Sequence, residues 1–293
     1  MLIRKSIFWS PATPSIIHDT SFLSLIADGT EIRVHRATIS SLTSHAAVLS
    51  TNKTVPSDAL VFATGWTTSH SSLFPPALLP DLGFPLPLSE QTPEMEKHWS
   101  TLSSTSMQKL KSLFPTLANP PKNVTEYDTA HAKKATTTPF RLFRGIVPPT
   151  LAARGERNLI VLGLTLNISI PLMAEVESLW GVAYLEDLPF IPEVQSVLGD
   201  KEEMEREVSE GIGMGYLRFR DRGAMVVDGG EVSQLFVDRL VRDLGLRTDR
   251  KVLDVERGRG WWWEKWWREC TEAYFAGDYR GLIGEYKGRW GLE

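Results

Sequence analysis

The stretch DALVFATGW (58–66) sets the first expectation for the fold. Residues 59–63 have the length and side chains of a buried β-strand, and Thr64-Gly65 ends that strand sharply because glycine lets the backbone turn. Ligands of α/β proteins bind just beyond the carboxyl ends of strands. The stretch therefore predicts a ligand crevice at Gly65.

A second apolar stretch repeats this pattern further along the chain. Residues 159–163 predict another buried strand, which ends on Gly163, and residues 171–188 predict an amphipathic helix after it. Two strands that each end in a glycine, one of them followed by a helix, are typical of an α/β sheet. We therefore expect the two strand ends to converge on one crevice.

The rest of the chain predicts short strands early and helices late. Short strands are expected at 2–9, 22–27, 30–36 and 45–50, with turns at Asp28-Gly29 and 51–53. Residues 67–93 and 116–139 predict irregular excursions rich in Ser, Pro or Thr. Helices are expected at 95–114, 201–210, 234–246 and across the aromatic tail 261–290.

Composition excludes several classes of protein. The 293 residues carry a net charge of −4, and 42% are hydrophobic and 23% charged, which favours a soluble globular protein without nucleic-acid partners. The single cysteine, Cys270, excludes an internal disulfide framework and a cysteine-based zinc site. No apolar run predicts a signal peptide or membrane span, so we expect a cytoplasmic protein.

Motifs for common enzyme chemistries are missing from the sequence. It has no G-x-G-x-x-G, phosphate loop, H-E-x-x-H or G-x-S-x-G, and its six histidines show no ligand-like spacing, so no metal site is predicted. Gly211-Ile-Gly-Met-Gly215 follows a charged helix rather than a strand, which argues against phosphate binding. Glu175 and Glu177 fit either carboxylates near a helix N-terminus or a catalytic acid.

The tryptophan-rich tail allows more than one interpretation. Trp262 with Trp266, and Trp263 with Trp267, are i,i+4 pairs that share one face of a helix. Packing of that face over the rest of the fold is the favoured hypothesis. Contact with a partner protein, another copy of the chain or a membrane interface is the alternative.

Five stretches in chain order resemble the flavin-containing monooxygenase-like family, in its fungal FAD-dependent branch. They are LIRKS (2–6), DALVFATGW (58–66), LFRGIVPPTLAARGERNLIVLGL (142–164) with AEVESLWGVAYL (174–185), FVDRLVRDLGLRTDRK (236–251) and DYRGLIGEYKGRW (278–290). The resemblance is intermittent but covers nearly the whole chain. Members of that family carry glycine-rich FAD and NADPH turns further upstream, so the resemblance implies an N-terminally truncated chain.

The resemblance implies an α/β fold, an incomplete FAD/NAD(P)-binding (Rossmann-like) fold with a helical C-terminal region. It implies that Thr64, Gly65, Trp66 and Gly163 lie against FAD and that Arg4 binds the NADPH 2′-phosphate. The implied division is 1–57 for a remnant of the NADPH domain with linking strands, 58–188 for part of the FAD domain with an insertion at 67–140, and 189–293 for a helical aromatic-rich region.

The implied activity is NADPH-dependent oxygen insertion into a small hydrophobic metabolite, as in fungal secondary metabolism. The cofactor carries that chemistry, which agrees with the lack of a nucleophile or metal motif. Without an upstream pyrophosphate cradle, we expect the chain alone to bind FAD weakly. Two other classes stay open: a non-catalytic remnant that binds a partner through its aromatic tail, and a small-molecule binding protein that uses no nucleotide.

Overall fold

The computed structural model describes residues 21–29, 31–61, 73–120, 136–164, 170–219, 233–251, 262–272 and 274–292. The chain divides into two compact units, one formed by Ser15–Ser69 and the other by the rest of the chain. Each unit is described by itself. The architecture is mixed α/β and mainly helical.

The smaller unit holds one helix and a three-stranded sheet. Helix α1 spans Ser21–Asp28, and strands β1 (Ile39–Leu42), β2 (Ala46–Leu49) and β3 (Thr54–Pro56) pair antiparallel in the order β1-β2-β3. Positive φ at Asn52 (62°) forms the tight turn between β2 and β3, because asparagine tolerates the left-handed region. This confirms the turn predicted at 51–53.

Three strand predictions in this unit are wrong where the structure describes them. Residues 31–36 of the expected strand 30–36 lie outside any strand. Residues 22–27 were expected to pair across Asp28-Gly29, but they belong to α1, whose apolar residues recur at helical spacing. Residues 59–61 of the expected strand 59–63 lie outside any strand, and Val61 is 85% exposed. An apolar run becomes a buried strand only where neighbouring strands pair with it and cover it, and the described residues supply no such neighbour for 59–61.

The larger unit is built from nine described α-helices. They are α2 (Pro93–Leu113), α3 (Pro115–Ala118), α4 (Pro149–Ala153), α5 (Ile170–Leu185), α6 (Pro192–Val197), α7 (Lys201–Phe219), α8 (Ser233–Asp243), α9 (Trp262–Thr271) and α10 (Leu282–Trp290). Single 3₁₀ turns lie at Pro76–Leu78, Leu88–Glu90 and Ala276–Tyr279. The helices predicted at 95–114, 171–188, 201–210 and 234–246 are confirmed, with shifted ends.

The main core of this unit surrounds α5. Trp180 and Val176 are fully buried, and Trp180 contacts the rings of Phe190 and Tyr184 at centroid distances of 4.9 and 6.0 Å. Helices α8 and α10 contribute Leu240 and other apolar residues to the same cluster. A second cluster forms around Phe84 and its neighbours in the 79–86 segment.

The predicted strand 159–163 is wrong as a strand. Residues 155–164 lie in no sheet, and the N–H of Val161 donates to the carbonyl of Ile146 at 2.9 Å as a single interaction rather than part of a ladder. Among the described residues, the named sheet is antiparallel, and no parallel strands pair. No helix in the described ranges combines the length and the apolar character that crossing a membrane requires.

Candidate functional site

Gly163 is the predicted cofactor residue that the structure describes. It has a φ of +78°, and a side chain added there would meet nothing within 4 Å, so the backbone is open to a ligand. Its N–H donates to Oε2 of Glu177 at 2.8 Å, and Glu177 is only 2% exposed on α5. This contact ties the 155–164 segment to α5.

The other predicted site residues lie outside the described residues. These are Arg4, Thr64, Gly65 and Trp66. The convergence of Gly65 with Gly163 on one crevice therefore stays a prediction.

The described residues fit FAD only in part. Open space beside Gly163 would allow a flat ring to approach the backbone. The Gly163 amide, however, is already bound by the Glu177 carboxylate, so it is not free to donate to a cofactor. The glycine run at 211–215 lies inside α7, where the amides serve the helix. The described residues supply no pyrophosphate cradle.

The two glutamates of α5 differ in environment. Glu175 is exposed, whereas Glu177 is buried and accepts the Gly163 N–H. Glu177 lies in the second turn of the helix and holds a neighbouring loop. The contact of Glu177 with the Gly163 N–H thus fixes the position of the backbone at Gly163.

A cleft of about 280 Å³ lies in the larger unit, and Gly163 is not among the residues that line it. Its walls come from the 80–83 segment, the first half of α2, the start of α4 and the start of α7, together with Arg141. The side chains that define it are Met95, His98, Trp99, Arg141, Pro149 and Glu205. Three of these six side chains, Met95, His98 and Trp99, belong to the insertion at 67–140.

Backbone pairing positions Arg141 in this cleft. The N–H of Arg141 donates to the Gly83 carbonyl at 2.7 Å, and the N–H of Thr138 donates to the Leu86 carbonyl at 2.8 Å. Two extended segments therefore run side by side and present Arg141 to the first half of α2. Its guanidinium lies over the Trp99 ring, with 4.2 Å from Cζ to the ring centroid.

Burial sets the electrostatics of Arg141. Loss of solvent lowers the pKa of its guanidinium to about 10, while the nearby carboxylate of Glu205 opposes this change. Its Nη2 donates to Oε1 of Gln91 at 3.2 Å, and its Nε is buried without a hydrogen-bond partner. This cation is less well paired than burial normally demands.

His98 and Glu205 form a pair at the edge of the cleft. Nε2 of His98 lies 2.8 Å from Oε2 of Glu205, and Nζ of Lys201 lies 3.5 Å from Oε1. The His98 side chain is 47% exposed, whereas that of Glu205 is 9% exposed. The carboxylate of Glu205 is thus shared by two neighbours.

A buried ion-pair cluster joins three helices to the 143–147 turn. Arg144 donates from Nε to Oδ2 of Asp243 at 2.6 Å and also binds Glu207 of α7. Nε1 of Trp180 donates to the same Asp243 oxygen at 3.1 Å. The cluster fixes the relative positions of α5, α7 and α8.

The sequence analysis did not identify Arg141 of the cleft or Arg144 of the ion-pair cluster as functional or structural residues. The segment FRLFRGIV (140–147) alternates arginines with apolar residues, and a charged residue inside an apolar segment signals a buried, paired group. Arg141 and Arg144 were not singled out by that criterion. Their partners lie up to 99 residues away in the sequence, so spacing could not identify them.

The favoured packing of the tryptophan tail is wrong for two of its residues. Trp263 and Trp267 on α9 are 56% and 57% exposed, so they do not pack as core residues. The helical prediction for the tail is confirmed at α9 and α10.

Comparison with known proteins finds relatives that are all named FAD-dependent monooxygenases. The chain is 28% identical over 98% of its length to FAD-dependent monooxygenase avaB of Aspergillus versicolor, covering 41% of that protein. It is 27% identical over 98% of its length to FAD-dependent monooxygenase resA of Aspergillus sclerotiorum, covering 45%. It is 26% identical over its full length to FAD-dependent monooxygenase rstn6 of Aspergillus nomiae, covering 46%.

These relatives confirm the resemblance. They are named as FAD-dependent monooxygenases, and the chain resembles proteins of that class. Within the class, the similarity is to fungal FAD-dependent monooxygenases. The chain spans less than half the length of these three relatives. No protein-family model matches the chain, and no solved structure matches it.

Proposed function

We propose that the chain acts in an FAD-dependent monooxygenase that inserts one atom of O₂ into a small hydrophobic metabolite of fungal secondary metabolism. NADPH supplies two electrons, and the second oxygen atom leaves as water. The observation that carries the proposal is the similarity to FAD-dependent monooxygenases across 98–100% of the chain. The cofactor supplies the redox chemistry, and the protein binds and orients the reactants.

The residue roles in this proposal follow the resemblance. Thr64, Gly65 and Trp66 contact FAD, and Gly163 leaves room for the flavin edge, which the open space at its Cα supports. Arg4 binds the 2′-phosphate of NADPH. A Rossmann-like arrangement with the divisions 1–57, 58–188 and 189–293 belongs to the same proposal, as does a cytoplasmic location.

Weak FAD binding by this chain alone is part of the proposal. A pyrophosphate held at a helix N-terminus gains several charge-assisted hydrogen bonds, each worth roughly 1.5–3 kcal/mol. The described residues provide no comparable set of amides. Purified chain, desalted after incubation with FAD, is expected to lose the visible flavin absorption. Retention of stoichiometric flavin through desalting would contradict this expectation.

A matched pair of glycines tests the role of Gly163. Gly163 and Gly155 both have positive φ (78° and 74°) and open space around the added side chain. Gly163→Val and Gly155→Val therefore carry the same backbone cost. Flavin fluorescence titration is expected to show weaker FAD binding for Gly163→Val alone. Equal affinities in the two variants would remove Gly163 from the cofactor site.

A second candidate function rests on the exposed tryptophans. Trp263 and Trp267 lie four residues apart on α9 and are both more than half exposed, which favours a partner-binding surface. In this case the chain acts as a non-catalytic partner protein. Light scattering of the native chain and of a Trp263→Ser/Trp267→Ser variant tests it for self-association. Identical monomer masses at all concentrations would argue against a second copy as the partner.

A further inference from the structure

Arg141, which is half-buried, differs from Arg144 and Arg250, whose side chains are buried, in what surrounds its charge. Arg144 is bound by Asp243 at 2.6 Å and by Glu207, and Arg250 is bound by Glu285 at 2.7 and 2.9 Å. Arg141 has no carboxylate within 4 Å among the described residues. Its one side-chain hydrogen bond within those ranges goes to the neutral amide of Gln91. The Arg141 guanidinium is thus in direct contact with no carboxylate of these ranges, and Glu205 acts on its charge only from beyond 4 Å.

The acidic groups around the cleft are already engaged elsewhere. The carboxylate of Glu205 is shared by His98 and Lys201, and Oδ2 of Asp81 lies 3.6 Å from Nη2 of Arg154. Glu94 lies exposed in the first turn of α2, where hydrogen bonds with the backbone and Thr92 lower the pKa of its carboxyl group. None of these groups pairs directly with the Arg141 guanidinium. An anion that enters the cleft would supply the missing partner.

The walls of the cleft determine what kind of anion fits. Met95, Pro80 and Pro149 are apolar, and Trp99 holds the guanidinium plane against its ring. A volume of about 280 Å³ is at the lower end for ligand pockets and admits a small molecule only. A planar guanidinium matches a planar carboxylate through two parallel hydrogen bonds.

We propose that this cleft binds a small organic carboxylate, with Arg141 as its counterion and Met95 and Pro149 against its apolar part. The geometry requires neither FAD nor the residues proposed to contact it. The cleft is therefore a binding site of its own, whatever the outcome for the oxygenase activity.

Calorimetric titrations of the native chain compare three ligands: benzoate, benzamide and inorganic phosphate. They distinguish binding of a carboxylate from binding of a neutral ligand of the same shape and from binding of an inorganic anion. Benzoate is expected to bind, whereas benzamide, which has the same shape but no charge, is expected to bind at least about tenfold more weakly, as loss of a charge-assisted pair implies. Phosphate is expected to bind more weakly than benzoate because it gains nothing from the apolar wall. Equal binding of benzoate and benzamide, no benzoate binding at millimolar concentration, or tighter binding of phosphate would overturn the proposal.

A charge-matched pair of variants places the site at Arg141. Arg141→Gln is expected to lower benzoate affinity at least about tenfold. Arg206→Gln removes the same charge from α7 outside the cleft, where Arg206 pairs with Glu203 on the surface, and is expected to leave affinity unchanged. Equal loss in both variants, or none in Arg141→Gln, would overturn the assignment. The comparison of benzoate with benzamide needs no variant and stands even if Arg141→Gln fails to fold.

Discussion

Removal of the Asp243 carboxylate should destabilise the larger unit more than any exposed charge change of the same kind. Asp243 is 3% exposed, binds Arg144 through two nitrogens at 2.6 and 3.2 Å, and accepts Nε1 of Trp180 at 3.1 Å. Asp243→Ala leaves Arg144 buried with Glu207 as its remaining carboxylate partner. Loss of one member of a buried ion pair costs about 3–5 kcal/mol of unfolding free energy.

That cost converts into a large shift of the melting temperature. For a chain of this size, each kcal/mol corresponds to about 2–4 °C, so a drop of about 6–20 °C is expected. Circular dichroism during urea and thermal unfolding measures both quantities. Asp243→Asn keeps one carbonyl oxygen as an acceptor, so we expect it to lie between the native chain and Asp243→Ala.

An exposed aspartate gives the control. Asp249 pairs with Arg247 at 2.6 Å, but the side chains are 42% and 45% exposed. Asp249→Ala should therefore cost no more than about 1 kcal/mol. Adding Arg144→Met to Asp243→Ala removes the buried cation that has lost one of its two carboxylate partners, and it should recover part of the lost stability. Equal costs for Asp243→Ala and Asp249→Ala would refute the reasoning.

Three further predictions concern the backbone, a loop contact and alkaline pH. Gly83→Ala places a Cβ 2.5 Å from the Arg141 carbonyl oxygen at a φ of +68°, so urea unfolding should show a loss of about 2–5 kcal/mol. Glu177→Ala removes the acceptor of the Gly163 N–H, so hydrogen exchange of that amide should accelerate roughly tenfold or more. Burial raises the pKa of Tyr279 above its ordinary value of 10.0, so unfolding free energy should fall by up to about 1.4 kcal/mol per pH unit above pH 10, and Tyr279→Phe should flatten that slope.

Two of these predictions have control variants, and the third has a contrary outcome that can be observed. Glu175→Ala lies on α5 but is exposed, and it should leave the Gly163 amide unchanged. Gly284→Ala meets no atom within 4 Å inside α10 and should be neutral or stabilising. Unfolding free energy falls at alkaline pH because the folded state keeps the Tyr279 phenol neutral, while the unfolded chain releases that proton above pH 10. Stability that rises between pH 10 and 12 would contradict it.

Local sequence patterns were sufficient for most helices. Apolar spacing, followed by Pro115, predicted the helix at 95–114. The structure adds an N-cap, in which the Thr92 side chain accepts the Met95 N–H at 3.3 Å. Charged residues on one face predicted α7. These signals act over one or two turns of chain, so a sequence window contains everything that determines them.

Strands and the cleft depended on partners far away in the chain. Residues 59–61 and 159–163 had the composition of buried strands, but no described strand pairs with either, because composition does not specify the neighbour that a strand needs.

The ligand cleft had no local signal. Arg141 meets Trp99 across 42 positions, and its missing counterion is visible only once Glu205 is seen to be engaged by His98 and Lys201. The sequence by itself determined the longer helices of the larger unit, the turn at 51–53 and the resemblance to flavoprotein monooxygenases, because these depend on local spacing and motif order. Only the tertiary structure decided which of the described charges are buried, which are paired and that Arg141 contacts no carboxylate directly, since those features depend on residues brought together from distant parts of the chain.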